Sequence, residues 1–404
     1  MKLSEELKWR GFVNQTTYND ITELDQGPIS FYIGVDPSSD SMTIGNLAAI
    51  MMVWHFINAG HNAYLLVGGA TGLIGDPDGK ANERSLKTFE EIIKNKTLIA
   101  GQYSRILNGK EFTLVDNYDW FKDIKFIDFL RDIGKHVPMS QMLGRDFVQS
   151  RLGEGGAGIS YAEFSYSLIQ GYDFVHLFRN FGVTLQLCGA DQWGNAITGV
   201  DLIRRIEGKE SHVYSTPLIV NKATGVKFGK SEEGAIWLDA DKTSVYKFYQ
   251  FWLNVDDESV IDHLKIYTLL GKDEIDGLVR QVSENPGVRA AQRALAHAVT
   301  VIVHGEDRAA SVERVTDVLF GGADFNTLND DDINELAREI PAVPLGRTIV
   351  EGLIESGIAS SNGEARRLIA AGAVSVNGVR VVEDKVNDSI SLVKKGKNSF
   401  FLAR

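Results

Sequence analysis

Residues 29–67, ISFYIGVDPSSDSMTIGNLAAIMMVWHFINAGHNAYLLV, carry the pattern that decides the fold. The β-rich run 29–35 predicts a strand, the apolar stretch 44–59 stopped by Gly60 predicts a helix, and residues 63–67 predict a second strand. Strand, helix and strand in that order make a βαβ unit. Further along, residues 164–181 predict a long helix, and residues 184–187 a strand that runs into a glycine-containing loop. Such alternation through the first half of the chain predicts an α/β fold, with a parallel sheet and helices on both faces.

After about residue 243 the β signal fades, and amphipathic helical patterning dominates to about residue 320. Residues 321–344 are rich in Gly, Asn, Asp and Pro with one short helical stretch, and read as a linker. A final unit follows. Its expected parts are helices over 348–355 and 363–371 and a hairpin over 374–382 turned at Asn377-Gly378. Strands over 389–393 and 399–402 are expected to flank a turn at Lys394-Lys395-Gly396-Lys397.

A chain of 404 residues, 44% apolar and 24% charged, has material for ordinary buried cores in two or three domains. The charged, apolar-poor start predicts neither a signal peptide nor a membrane span, and the apolar run 47–54 is too short to cross a bilayer. A soluble, cytoplasmic protein is expected. The single cysteine, Cys188, rules out an internal disulfide and a cysteine-rich metal site. A net charge of −12 opposes non-specific coating of nucleic acid. Residues 346–404 nevertheless hold nine Lys and Arg against six Asp and Glu, and this locally basic end suits selective RNA contact.

Five segments carry candidate chemistry. Residues 36–46 (DPSSDSMTIGN) join a strand to a helix, whose free N–H groups and positive dipole end suit a phosphate; the plain alternative is an ordinary capped loop. Residues 68–80 (GGATGLIGDPDGK) place glycines at a strand end without the spacing of a dinucleotide fingerprint or a Walker loop. There Asp76 suits an ammonium group, and Lys80 and Arg84 suit phosphate, unless the segment is simply a solvated turn. Tyr166, Gln170 and Asp173, spaced i, i+4, i+7, share one helical face. Two neutral hydrogen-bonding groups and one acid point to a small polar ligand, although such a stripe is often only the wet side of a helix. Residues 185–195 (LQLCGADQWGN) offer Asp191 and Gln192 to a ribose and an amino acid, while Cys188 reads as a small buried hydrophobe. Residues 227–231 (KFGKS) set Lys227 and Lys230 three apart in a glycine-hinged loop, suited to a pyrophosphate leaving group.

In this order, and over essentially the whole chain, the five segments closely resemble the bacterial tyrosyl-tRNA synthetases of class I. Thr43-Ile44-Gly45-Asn46 stands where the HIGH signature of class I lies, and KFGKS stands for KMSKS. The resemblance implies a Rossmann-like parallel-sheet catalytic domain over 1–222 with a dimer-interface insertion, and a KMSKS-type loop and linker over 223–245. It further implies an α-helical anticodon-side domain over 246–320, a linker over 321–345, and a small α+β RNA-binding domain over 346–404 that resembles a ribosomal small-subunit protein. Tyr32 and Asp173 would bracket the phenolic hydroxyl of tyrosine, with Asp76, Tyr166 and Gln170 at its ammonium group and Gln192 at its carboxylate. Asp36, Gly45, Gly189 and Asp191 would line ATP, and Thr43, Asn46, Lys80, Arg84, Lys227 and Lys230 would surround its phosphates. Both HIGH histidines are absent, and neither Thr43 nor Asn46 carries imidazolium charge. Ile33 and Ala49 stand where the family often offers polar contacts to ribose.

The implied reaction is activation of L-tyrosine by Mg-ATP followed by transfer to the terminal adenosine of tRNA(Tyr), with no protein-bound metal. A tryptophanyl-tRNA synthetase and a non-catalytic RNA-binding scaffold of the same fold are the alternatives. Trp120, Phe121, Phe126, Ile127, Phe129 and Leu130 read as plain core or, by the family's arrangement, as part of a homodimer interface.

Overall fold

The computed structural model describes residues 1–77, 86–144, 146–153, 155–156, 158–220, 228, 230–231 and 234–404. Six strands form the first sheet: β1 (Gln15–Thr16), β2 (Ser30–Val35), β3 (Asn62–Val67), β4 (Thr113–Val115), β5 (Leu185–Gly189) and β6 (His212–Thr216). Their spatial order is β1-β6-β5-β2-β3-β4. All pairs are parallel except the edge pair β1–β6. The chain moves from β2 outward to β3 and β4, then returns to β5 on the other side of β2. That reversal opens a crevice beyond the carboxyl ends of β2 and β5, where open parallel sheets bind ligands. Register places Tyr32 beside Gln186 and Gly189 beside Thr216 along its floor.

Each face of this sheet is covered for a reason written in the residues. Helix Ile44–Asn58 is buried on nearly every side, including Leu47, Met51, Met52, Val53 and Phe56. A helix apolar all round needs a second cover. Helix Val260–Tyr267 packs against it. Buried Arg10 fixes that cover, donating to the carbonyls of Lys265, Thr268 and Leu270 at 2.7, 3.0 and 2.9 Å. It thereby satisfies acceptors that the end of a helix leaves open. On the other face, helix Tyr161–Phe181 packs closely on helix Trp193–Glu207. Gly171 and Gly199 permit the approach, since a Cβ on Gly199 would lie 2.9 Å from Phe174 Cβ. Two short strands, β7 (Lys230–Ser231) and β8 (Gly234–Ala235), pair as a hairpin.

Contacts divide the chain into two units, Met1–Thr243 with Val255–Ala291, and Ser244–Asn254 with Gln292–Arg404. The helical region expected over 246–320 is therefore split. Periodicity showed these helices to be amphipathic but not what they cover, and Val260–Tyr267 covers the parallel sheet's own helix.

The second unit holds a five-stranded sheet, ordered β11-β10-β12-β13-β9. Its strands are β9 (Ala342–Val343), β10 (Val374–Val376), β11 (Val379–Val381), β12 (Ser391–Lys395) and β13 (Ser399–Ala403). Asn377 and Gly378 both take positive φ, 46° and 81°, as the expected hairpin turn requires. Lys394 and Lys395 lie in β12 rather than in the expected turn, and Lys394 Nζ donates to the Leu319 carbonyl at 2.8 Å. The expected linker over 321–345 is also packed structure. Helix Asp330–Glu339 buries Leu336 and Asp332, and Asp332 accepts from Ser311 and Arg314 at 2.6–2.8 Å. Phe325, Leu328 and Leu336 share one core with Val315, Leu319, Leu392 and Leu402, so residues 346–404 are not independent of the helices before them.

Among the described residues, no helix is long and apolar enough to cross a membrane. Burial, and secondarily Arg10, hold the imidazole of His55 down to about 3 from an ordinary 6.5, and its Nε2 has no hydrogen-bond partner among the described residues. A base with a depressed folded value contributes stability fully above pH 6.5 and loses it as pH falls toward that value. Between pH 6.5 and 5, urea unfolding should lose on average about 1.1 kcal/mol per pH unit through this residue, rising toward about 1.4 at the acid end. His55→Leu should remove that part of the slope.

Candidate active site

A cavity of about 500 Å³ opens at the crevice between β2 and β5. Tyr32, Asp36, Thr43, Gly45, Asn46, Asp76, Tyr166, Gln170, Asp173, Gly189, Asp191 and Gln192 all line it. Twelve of the predicted site residues are thus brought together. Lys80, Arg84 and Lys227 lie outside the described residues, and Lys230 is described only as backbone in β7.

Asp173 and Tyr32 sit at the bottom, each 1% exposed. Asp173 accepts from Asn117 Nδ2 at 3.1 Å and Trp120 Nε1 at 2.9 Å. Burial pushes its carboxyl well above the usual carboxylate range, against the pull of those two donors. Burial, and next the Asp173 charge, push the Tyr32 phenol well up, and its Oη has no hydrogen-bond partner among the described residues. Asn117 is itself fully buried, donates to Thr71 Oγ1 at 3.0 Å and accepts from Ala70 N at 2.7 Å. One side chain thereby ties the acid to the turn after β3.

The helical face predicted for Tyr166, Gln170 and Asp173 points into the cavity as a set. Ser160 caps this helix and Gly182, at φ 66°, ends it, which fixes its span at Tyr161–Phe181. Tyr166 Oη donates to Asp36 Oδ2 at 2.8 Å, and burial followed by Asp36 raises the Tyr166 phenol well above its ordinary value. Gln192 Nε2 donates to Asp76 Oδ2 at 2.5 Å, and Asn195 Nδ2 to Gln192 Oε1 at 3.2 Å. Buried Gln170 Oε1, Gln186 Oε1 and Thr216 Oγ1 also line the cavity without hydrogen-bond partners among the described residues. Four orphaned polar atoms facing one space, with Tyr32 Oη, fit a polar guest better than an apolar one.

The segment at the HIGH position is both a cap and part of the wall. Asn46 Oδ1 accepts from Thr43 N at 3.0 Å and Thr43 Oγ1 at 3.1 Å. A backbone N–H only donates, so the oxygen of the Asn46 amide is the atom turned to Thr43, leaving Nδ2 as a donor. The glycines after β3 are required by neighbouring polar side chains. A Cβ on Gly68 would lie 2.1 Å from Thr71 Oγ1 and 2.6 Å from Asp36 Oδ1, and one on Gly69 would lie 2.3 Å from Asp116 Oδ1. Burial pushes the Cys188 thiol up to about 12, in keeping with a buried hydrophobe.

Sequence patterns did not reveal Asn117, Thr71, Gln186 or Thr216 as site residues. Gln186 alone had a local signal, as a polar residue between leucines in a predicted strand. Among the described residues, no group of His, Cys, Asp and Glu is arranged to hold a metal ion. Replacing Gly68 by Ala should destabilise the protein by about 1–3 kcal/mol through displacement of Asp36 and Thr71. Urea denaturation checks this, and an unchanged midpoint would show the turn to be adaptable.

Residues 24–321 match the family described as tRNA synthetases class I (W and Y), and residues 332–403 match the tyrosine--tRNA ligase SYY-like C-terminal domain. A tyrosine--tRNA ligase of Levilactobacillus brevis is 44% identical, with 100% of this chain and 99% of the relative covered. One of Flavobacterium psychrophilum is 42% identical over 99% of this chain and 98% of its own length. Among solved structures, a C-terminally truncated mitochondrial tyrosyl-tRNA synthetase of Aspergillus nidulans superposes with a TM-score of 0.71 at 29% identity, covering 79% of this chain and 94% of its own. With its parallel sheet, its crevice and its full-length relatives in agreement, the chain belongs to the class I tRNA synthetases of the W and Y family, among the tyrosine--tRNA ligases.

Proposed function

We propose that the cavity binds L-tyrosine with its phenol between Tyr32 and Asp173 and ATP across the crevice toward Thr43 and Asn46. The observation that carries the reading is the buried pair at the cavity floor, one member with an orphaned hydroxyl and the other a carboxylate held by two donors. A guest that ends in a hydroxyl satisfies both. Phenylalanine in the same place leaves buried polar atoms without partners, which is costly. An indole N–H donates only, so it is the poorer match for a pair that includes a hydroxyl donor.

Asp76, Tyr166 and Gln170 face the ammonium group in this reading, Gln192 the carboxylate, and Asp36, Gly45, Gly189 and Asp191 the nucleotide. The tyrosine carboxylate is ionised at neutral pH and attacks the α-phosphate in line, giving tyrosyl-adenylate and pyrophosphate. Positioning and positive charge are the protein's main contributions. Asp36, Asp76, Asp173 and Asp191 make the lining acidic, and no Lys or Arg occurs among the described lining residues. The anionic nucleotide therefore enters as Mg-ATP, and Lys80, Arg84, Lys227 and Lys230 are proposed to meet its phosphates. A ribose hydroxyl at the end of tRNA(Tyr) then attacks the carbonyl carbon of the adenylate, forming the ester while the bond to the phosphate oxygen breaks and AMP and the hydroxyl proton leave.

The basic residues of 346–404 are proposed to grip the tRNA, and exposed Phe126 and Ile127 to lie in a homodimer interface. The domain boundaries implied by the resemblance stand as functional divisions only, and a cytoplasmic location accords with the proposed role in translation.

Tyrosine-dependent ATP–pyrophosphate exchange tests this reading. Asp173→Ala should lower kcat/KM for tyrosine at least about a hundredfold, as expected when a partner of a buried polar group is removed. Full activity and an unchanged preference for tyrosine over phenylalanine would contradict the binding scheme. Exposed Arg366 and Arg367 test the tail without disturbing its shared core. The double change to Ala should leave exchange unaltered, weaken tRNA binding and make its dependence on log salt shallower by about 1–2.

A further inference from the structure

Helix Phe89–Ile106 is amphipathic, yet its buried stripe of Ile92, Ile99, Tyr103 and Ile106 is interrupted by two buried amides, Asn95 and Gln102. Spaced i, i+7, both lie on one face. Their bonds go to the same stretch of chain, residues 37–42, between the end of β2 and the cap of helix Ile44–Asn58. Asn95 Nδ2 donates to the Pro37 carbonyl at 3.0 Å. At the other end, Gln102 Oε1 accepts from Met42 N at 2.8 Å while Gln102 Nε2 donates to Ser41 Oγ at 2.8 Å. Ser41 Oγ in turn donates to the Met42 carbonyl at 2.9 Å.

Met42 also faces the opposite way. Its carbonyl accepts from Leu238 N at 2.9 Å, and Ile44 N donates to the Ile236 carbonyl at 3.1 Å. Thr43 and Trp237 form an isolated antiparallel bridge between these two contacts. Arg105, on the same helix, reaches the Leu238 carbonyl. Residues 236–238 directly follow the β7–β8 hairpin, whose first residue is Lys230. The segment leading to Thr43 and Asn46 thus lies between the helix and residues 236–238, with Asn95 holding its start at Pro37 and Gln102 holding its end at Ser41 and Met42.

We propose that Gln102 is a positioning residue for nucleotide handling: through the Met42 backbone it sets the register between the HIGH-position segment and the chain that follows the β7–β8 hairpin. The proposal rests on the reading of the cavity as the site of ATP and tyrosine. Gln102 is not among the cavity's lining residues, so its effect is indirect and falls on one substrate. The proposed tyrosine contacts come from Tyr32 on β2, the helix Tyr161–Phe181, Asp76 and Gln192, and the hydrogen bonds of Gln102 go to none of these but to Ser41 and Met42. A general loss of packing would disturb both substrates alike.

The full-length protein tests it. Gln102→Met keeps the side chain's length but removes both hydrogen bonds. Single-turnover formation of tyrosyl-adenylate should slow by about tenfold or more, or its half-saturation by ATP rise by that factor, as small misplacements of reacting groups do. The Kd for tyrosine in the absence of ATP should stay within about twofold. Ser41→Ala, a milder change that covers the case in which Gln102→Met does not fold, should shift the ATP term by about threefold with tyrosine binding again unchanged. A folded variant that alters neither substrate, or both by the same factor, overturns the proposal. Loss of tyrosine-dependent exchange in the unsubstituted protein would instead overturn the reading of the site itself.

Discussion

Asp173 is taken almost wholly out of water and retains two donors, Asn117 and Trp120. A buried carboxyl of this kind has to be supported from every side, because the penalty for an unmatched one is several kcal/mol. Much of the catalytic unit can be traced from that support. Asn117 binds the acid to Thr71 and Ala70 and so holds the turn after β3, and Trp120 stacks on His176, one turn along the helix from Asp173 itself. Tyr32 reaches the same place from β2, the strand at which the sheet reverses direction.

A floor arranged in this way favours a particular guest. Asp36, Asp76 and Asp191 around about 500 Å³ attract an ammonium group and repel a phosphate chain. The two ends of the cavity therefore need different chemistry. In the proposed scheme Tyr32 and the helix Tyr161–Phe181 would supply fixed polar groups at the tyrosine end. The helix N-terminus at Thr43 and a donor amide on Asn46 would supply dipoles at the nucleotide end, and magnesium with Lys80, Arg84, Lys227 and Lys230 would supply full positive charge. Asn46 has no titrating group, so in that role its hydrogen bonding would be independent of pH where a histidine's would not be.

Local periodicity made a good part of this legible in the sequence. The βαβ unit followed from residues 29–67, and the spacing of Tyr166, Gln170 and Asp173 placed all three in the cavity because one helical face is a local property. Asn117 and Trp120 were invisible as partners of Asp173, standing 56 and 53 residues away in no repeating pattern. Long-range partnership also explains why the packing units differ from the expected divisions. Residues 321–345 look like a linker by composition, but Phe325, Leu328 and Leu336 are half of a core completed by β12 and β13. Similarly, the amphipathic helix Val260–Tyr267 gives no hint in its own residues that it covers helix Ile44–Asn58, or that Arg10 closes its end. The basic charge of the tail was read from composition, whereas its shared core became apparent only with the fold.

The most direct test of the account is the position of one oxygen atom: the phenolic oxygen of L-tyrosine in a crystal structure of the complex. It should lie within about 3.2 Å of both Tyr32 Oη and a carboxylate oxygen of Asp173. A tyrosine bound with its hydroxyl in solvent, or a cavity that excludes the amino acid while Tyr32 Oη and Asp173 remain as they are, would contradict it.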